Sequence, residues 1–207
     1  MTITWLGHAC FCVESKGCRV ILDPYTMEDY PPMHARAGAV LCSHEHRDHN
    51  FREAVELVSE PDHPFSVRPI PSFHDDAQGA LRGENTIHVL TAEGLRVAHL
   101  GDLGHALTPE QLEALRGCDV LLIPVGGFYT IDAPTAVEVA KAVGARIVVP
   151  MHYRHGAYGL RQVGGVEEFL KAWDEACVHR LAGNSFTVSG SEPAGVIVPA
   201  FCPPEER

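Results

Sequence analysis

The 207-residue chain has no surplus of basic charge, no C-x-x-C pair and no long apolar run. Its 16 Lys and Arg stand against 27 Asp and Glu, for a formal charge of −11. A long nucleic acid needs a basic footprint, so that class of partner is excluded. Without a C-x-x-C pair there is no rubredoxin-like or ribbon-type metal module. No apolar stretch nears the ~20 residues of a membrane span, so no membrane is expected. The opening MTITWLGH has neither a basic n-region nor an apolar h-region, which points to a cytoplasmic protein. The seven cysteines are an odd number and fit a reduced compartment, acting as small core hydrophobes. Cys10 and Cys12 share one side of a strand. With 45% hydrophobic and 21% charged residues, the chain is not disordered. What it has in quantity is histidine, 13 in all.

Alternation and turn chemistry place strands over 2–14, Cys18–Asp23 and Ala39–Ser43. Residues 24–37, with Pro31-Pro32, read as loop. Phe51–Ser59 reads as a helix. Ser66–Phe73 reads as an edge strand because it holds Pro69 and Pro71. Thr86–Thr91 and Leu95–Leu100 form a hairpin across Ala92-Glu93-Gly94. A Pro-started helix runs from Thr108-Pro109-Glu110 to Arg116. Asp119–Pro124 and Arg146–Pro150 are buried strands, and Ala133–Val143 and Val166–Ala176 are helices. Phe186–Ser189 and Val196–Val198 are late strands, and 202–207 is a tail. Strands come first, then strand and helix alternate with hairpins retained. This order predicts an α/β (α+β) domain over 1–207, with packed mixed sheets and helices outside.

The densest chemistry is Ser43-His44-Glu45-His46-Arg47-Asp48-His49-Asn50. Three imidazoles and an aspartate follow directly on an apolar strand. A turn there sends His44 and His46 to one point and Asp48 and His49 to a second. Neutral imidazole with carboxylate is the ligand set of zinc and similar divalent metals. A solvated polar loop is the bland alternative.

This H-x-H-x-D-H run resembles the signature of the metallo-β-lactamase fold superfamily, and the rest of that pattern follows in order. Asp23 ends an early strand. His74 stands in Ser72-Phe73-His74-Asp75, Asp102 in His99-Leu100-Gly101-Asp102, and His152 in Pro150-Met151-His152-Tyr153. The resemblance covers about Trp5 to Tyr153. Trp5-Leu6-Gly7-His8-Ala9 and Gly126-Gly127-Phe128-Tyr129-Thr130 resemble the small metal-dependent hydrolases that include L-ascorbate-6-phosphate lactonases. The resemblance implies a four-layer αββα sandwich holding two divalent metals. The first would take His44, His46 and His74, and the second Asp48, His49 and His152, with Asp102 as bridge. It implies a bridging hydroxide that attacks a small-molecule ester, lactone or phosphoester, with Asp48 and Asp102 as catalytic residues. His63 and His88 compete with His74, which is preferred because it ends a strand. Related two-iron redox proteins carry Glu where His46 stands. Zinc is therefore favoured over manganese or iron.

Further residues carry weaker readings. Asp23 is an acceptor for a ligand ring or a turn cap before Pro24. His8 and His99 read as supporting or packing residues. His105 faces the site or solvent. Tyr129 and Tyr153 line the pocket or hydrogen-bond in the core. Arg82 clamps an anionic group of the small-molecule substrate, or makes a surface salt bridge. Loops 24–37 and 153–165 shape the pocket, unless a second subunit of a homo-oligomer does. Two other readings stay open: a phosphodiesterase acting on nucleotides or RNA ends, and a non-catalytic metal-binding or iron redox protein.

Overall fold

The structure, a computed structural model, describes residues 1–60 and 64–203. In chain order the strands are β1 (Thr2–Gly7), β2 (Cys10–Ser15), β3 (Cys18–Leu22), β4 (Ala35–Ala37), β5 (Ala39–Leu41), β6 (Val55–Leu57) and β7 (Ser66–Phe73). They continue with β8 (Glu84–Ala92), β9 (Leu95–His99), β10 (Val120–Pro124), β11 (Ile147–Met151), β12 (Val178–Arg180), β13 (Ser185–Thr187) and β14 (Gly195–Val198). The helices are α1 (Pro109–Leu115), α2 (Ala133–Val143) and α3 (Glu167–Leu170).

Two mixed sheets face each other. One is ordered β13-β1-β2-β3-β5 and the other β12-β14-β11-β10-β9-β8-β7. A single apolar cluster joins them, with Ile3, Trp5, Phe11 and Val20 from the first meeting Val89, Val97, Leu121 and Val148 from the second. β10 and β11 are buried along their whole length. A strand buried on both faces needs a layer on each side. α2 supplies one, its Ala136, Val137, Ala140 and Val143 turned inward. Asp132 caps its first turn and Gly144, at φ 67°, ends it. α1 opens on a capping box between Thr108 and Gln111. The outer face of the five-stranded sheet is covered by Tyr25, Tyr30, Met33, Ala54 and Val55.

Two expected helices differ. Over 51–59 the chain makes a 3₁₀ turn, Arg52–Ala54, and then β6. β6 finds a parallel partner in β4, inside the stretch read as loop. Val55 buries in that pairing, and β-branched Val55 and Val58 suit a strand. The helix expected over 166–176 is the single turn α3. It ends at a Lys171 cap, and Asp174 then accepts the Ala176 amide and starts a new 3₁₀ turn, Glu175–Cys177, ahead of the edge strand β12. No helix among the described residues is long and apolar enough to cross a membrane.

Six strands deliver chemistry at their C-terminal ends. His8 follows β1, Asp23 follows β3, His44–His49 follow β5, His74 follows β7, Asp102 follows β9 and His152 follows β11. Both sheets therefore contribute to one edge.

Candidate metal centre

Asp102 is the hub. Its Oδ2 lies 3.2 Å from His49 Nε2, 3.2 Å from His74 Nε2 and 3.3 Å from His152 Nε2. Donor atoms of His44, His46 and His74 lie within 4.8 Å of one another, and so do those of His8, His49 and His152. Asp48 Oδ2 is 3.9 Å from His49 Nε2 and 3.7 Å from His8 Nε2. His49, Asp102 and His152 are buried, whereas His46 is exposed. The centre is thus deep on one side and open on the other.

Supporting hydrogen bonds decide which ring nitrogens face inward. Asp23, wholly buried, accepts from His49 Nδ1 at 2.8 Å. It also accepts the Ser43 amide at 2.7 Å and the Ser43 hydroxyl at 2.6 Å. Having given its proton to Asp23, Ser43 Oγ can only accept at His44 Nδ1, 2.9 Å away. One carboxylate therefore leaves the Nε2 lone pair of His44 pointing into the centre and turns His49 so that its Nε2, protonated against Asp102 in the metal-free chain, faces the same point. Asn85, also buried, accepts the Asp102 amide at 2.9 Å and donates to Ser72 Oγ and Leu100 O. Gly101, at φ 55°, passes so close that a Cβ would fall 2.4 Å from Asn85 Oδ1 and Ser43 Cβ.

The electrostatics suit ligation. Burial pushes His44 down to about 3, helped by His49. Burial and His152 lower His8 to about 4. Both rings are neutral at pH 7 with a lone pair to give. Burial alone would raise Asp23, yet His99 and the bonds from His49 and Ser43 hold it at about 2. Burial opposes the charge on Asp102 too, but His152 and His49 keep its carboxyl well below the ordinary range. Burial likewise opposes His49 as a cation, yet Asp102 and Asp23 raise it well above the usual imidazole value.

The fit to a metal shows in what these groups lack. His44 Nε2, His74 Nδ1, Asp102 Oδ1 and both ring nitrogens of His152 are buried without a hydrogen-bond partner among the described residues. Such groups are costly unless something else pairs with them. A cluster of imidazoles around ionised carboxylates, with His49 free to give up its Nε2 proton on ligation, fits a divalent cation.

The remaining predicted residues fall elsewhere. His63 lies outside the described residues. His88 binds the Cys42 carbonyl at 3.0 Å, so it steadies the end of β5 and does not rival His74. His99 bonds the Ala9 carbonyl at 2.8 Å. His105 faces neither site nor solvent freely: Nε2 accepts the Phe73 amide at 3.1 Å and Nδ1 donates to Ala106 O at 2.7 Å. Tyr153 is buried in a stack on Trp5, with centroids 5.6 Å apart. Arg82 and Tyr129 lie together: Arg82 donates to Phe128 O at 3.1 Å and lies over the Tyr129 ring. Leu81 and Phe128 beside them are exposed. Loops 24–37 and 153–165 meet where Tyr30 Oη stands 3.1 Å from His155 Nε2.

Sequence reasoning missed Ser43, Asn85 and Asp75. Asp75 organises the loop after His74 by accepting the amides of Ala77, Gly79, Leu81 and Arg82. An Asp followed within a few residues by Gly was the available signal. Nothing local marked Asn85.

Two facing mixed sheets with this cluster at their shared edge define a metallo-β-lactamase fold. Residues 2–152 match the family described as a beta-lactamase superfamily domain. The chain belongs to that superfamily, in its UPF0173 group of metal-dependent hydrolases. It is 32% identical over 197 residues to the UPF0173 protein of Pyrococcus abyssi, covering 83% of this chain and 89% of that one. It is 30% identical to the UPF0173 metal-dependent hydrolase of Methanoculleus marisnigri, covering 94% of this chain and all of that one. A Thermotoga maritima crystal structure, described as a candidate zinc-dependent hydrolase of the metallo-β-lactamase superfamily, superposes with a TM-score of 0.74. The two share 34% identity over 95% of this chain and 97% of that one.

Proposed function

We propose that the chain is a cytoplasmic hydrolase that uses two divalent metals, zinc by ligand type, on a small-molecule ester, lactone or phosphoester. The observation that carries the reading is Asp102 Oδ2, set 3.2–3.3 Å from three imidazole nitrogens that belong to two different clusters. His44, His46 and His74 would hold one ion and Asp48, His49 and His152 the other, with Asp102 available to both sets. Bound metals at such a site act as Lewis acids and lower the pKa of water.

The chain's own residues do the rest. Burial opposes the charge on Asp48, but His8 and His49 hold its carboxyl well below the ordinary range. At neutral pH it is therefore an anion, ready to orient a water proton at Oδ2. Asp23 and Ser43 hold the ligand rings in one tautomer. Burial of His49, Asp102 and His152 keeps bulk water off the deep side. Substrate enters on the side of His46, past Leu81, Phe128 and Tyr129, a rim that suits a small molecule with an apolar portion. The His46 imidazole favours zinc and hydrolysis over iron and oxygen chemistry.

The test is elemental mass spectrometry on protein purified without added metal or an affinity tag, followed by a panel of lactones, phosphomonoesters and cyclic nucleotides. About two zinc atoms per chain and turnover of any member support the reading. Iron with oxygen consumption, or no metal uptake on titration, overturns it. Turnover confined to cyclic nucleotides narrows the substrate to phosphodiesters.

A further inference from the structure

We infer that His8 is itself a metal ligand, completing a second, fully buried imidazole triad with His49 and His152. This rests on the two-metal reading above. His8 follows β1 at φ 50°, in the left-handed region that a residue with a side chain rarely enters. Its backbone is fixed from both sides. The amide donates to Tyr30 Oη at 3.1 Å, and the carbonyl accepts from Trp5 Nε1 at 3.0 Å and from the His152 amide at 3.2 Å. His152 is also left-handed, at φ 52°. Two strained histidines, one from each sheet, are thus clipped together with their rings 4.2 Å apart.

The ring geometry separates a ligand from a packing residue. His8 Nε2 lies 3.1 Å from His49 Nε2. The proton of His49 is already committed at Nδ1 to Asp23. Once His49 Nε2 gives its lone pair to a metal, it has nothing left with which to accept a hydrogen bond from His8. The other acceptor nearby, Asp48 Oδ2, is 3.7 Å away, near enough to favour the Asp48 charge but too long for a well-formed hydrogen bond. A His8 Nε2–H would then be buried and unpaired. The opposite tautomer, with its lone pair aimed at the same ion as His49, removes that cost.

The two ions consequently differ. His8, His49 and His152 are all buried, whereas the other triad includes exposed His46. Site two is closed by protein ligands in the manner of a structural site, and site one keeps an open position. The ion at site two should leave slowly, and the ion at site one should exchange readily.

Cobalt(II) titration of the metal-free chain, read by visible absorption, tests this without reference to turnover. His8→Gly suits the backbone angle and leaves room for a small ring. The wild type should take up two cobalt ions and release them to a chelator in two phases. His8→Gly should weaken one uptake step by more than the ~100-fold that loss of an outer partner costs, shift its absorption band and lose the slow release phase. Added imidazole should restore all three. His8→Asn, with a side chain too short to reach, should weaken the same step and supplies the test if His8→Gly fails to fold. Two cobalt ions bound by either variant with wild-type affinity and spectrum overturn the assignment of His8 alone. A wild type that binds one ion overturns the two-metal reading, and with it His8.

Discussion

Asp23 Oδ2 sits 2.8 Å from His49 Nδ1, and through Ser43 the same carboxyl governs His44. Replacing it should damage both halves of the centre at once. Asp23→Asn keeps the shape but changes which atoms donate. Metal affinity should fall by roughly 10–100-fold, the usual cost of losing an outer partner. Competition with a chromogenic chelator measures this.

The same group sets a pH dependence in the metal-free chain. Asp23 is held down at about 2 when folded, against an ordinary value of 3.8. A depressed carboxyl stabilises the fold above its unfolded pKa, and that contribution disappears as pH falls from about 4 through 2. The expected loss is about 2 kcal/mol. Buried His44, lowered to about 3, works in the same direction over a higher window. Below pH 6.5 the unfolded ring takes a proton that the folded ring refuses. Urea unfolding of the apo chain at pH 7, 5 and 3 should show both losses, and Asp23→Asn should remove the lower one.

Asp102→Asn should cost more than Asp23→Asn. It removes charge from the one atom shared by three imidazoles, so both ions should be weakened beyond the ~100-fold range of an outer partner. Elemental analysis after dialysis reads the outcome. Two retained ions with unimpaired turnover would rule out Asp102 as the bridge.

Asn85→Ala tests how Asp102 is aimed. The change strands the buried Asp102 amide and takes one donor each from Ser72 Oγ and the Leu100 carbonyl. Stability should drop by about 1–3 kcal/mol. Activity should fall with kcat, and KM should stay close to the wild-type value.

Arg82→Ala probes the rim. The guanidinium is already engaged with Phe128 O and the Tyr129 ring. KM should therefore rise by a similar factor for neutral and anionic esters, because the variant loosens a loop. A selective effect on anionic esters would show instead that Arg82 touches substrate.

The candidate donors are readable in the sequence because they cluster in one turn after β5 or stand where a strand stops. His44, Asp102 and His152 needed no tertiary knowledge to be singled out. Ser43 and Asn85 did, since their importance lies in partners far along the chain. His8 was visible as a histidine but not as a converging one, because nothing near it in sequence indicates that β1 ends opposite β11. The strand over Val55–Leu57 was hidden for a related reason. Its spacing suits a helix, and its partner lies in a proline-bearing segment that reads as loop. Pairing energy from a distant segment outweighed local propensity.

The delivery of donors from six strand ends has a consequence for the life of the protein in the cell. No fragment, and no state in which the two sheets have separated, can assemble the ion site. Metal occupancy is then a certificate of completed folding. An ion that binds only the finished structure adds stability in proportion to the logarithm of its free concentration over its dissociation constant. Chains made under metal starvation would lack that increment and open to proteases more often. The supply of metal would thus set abundance as well as activity.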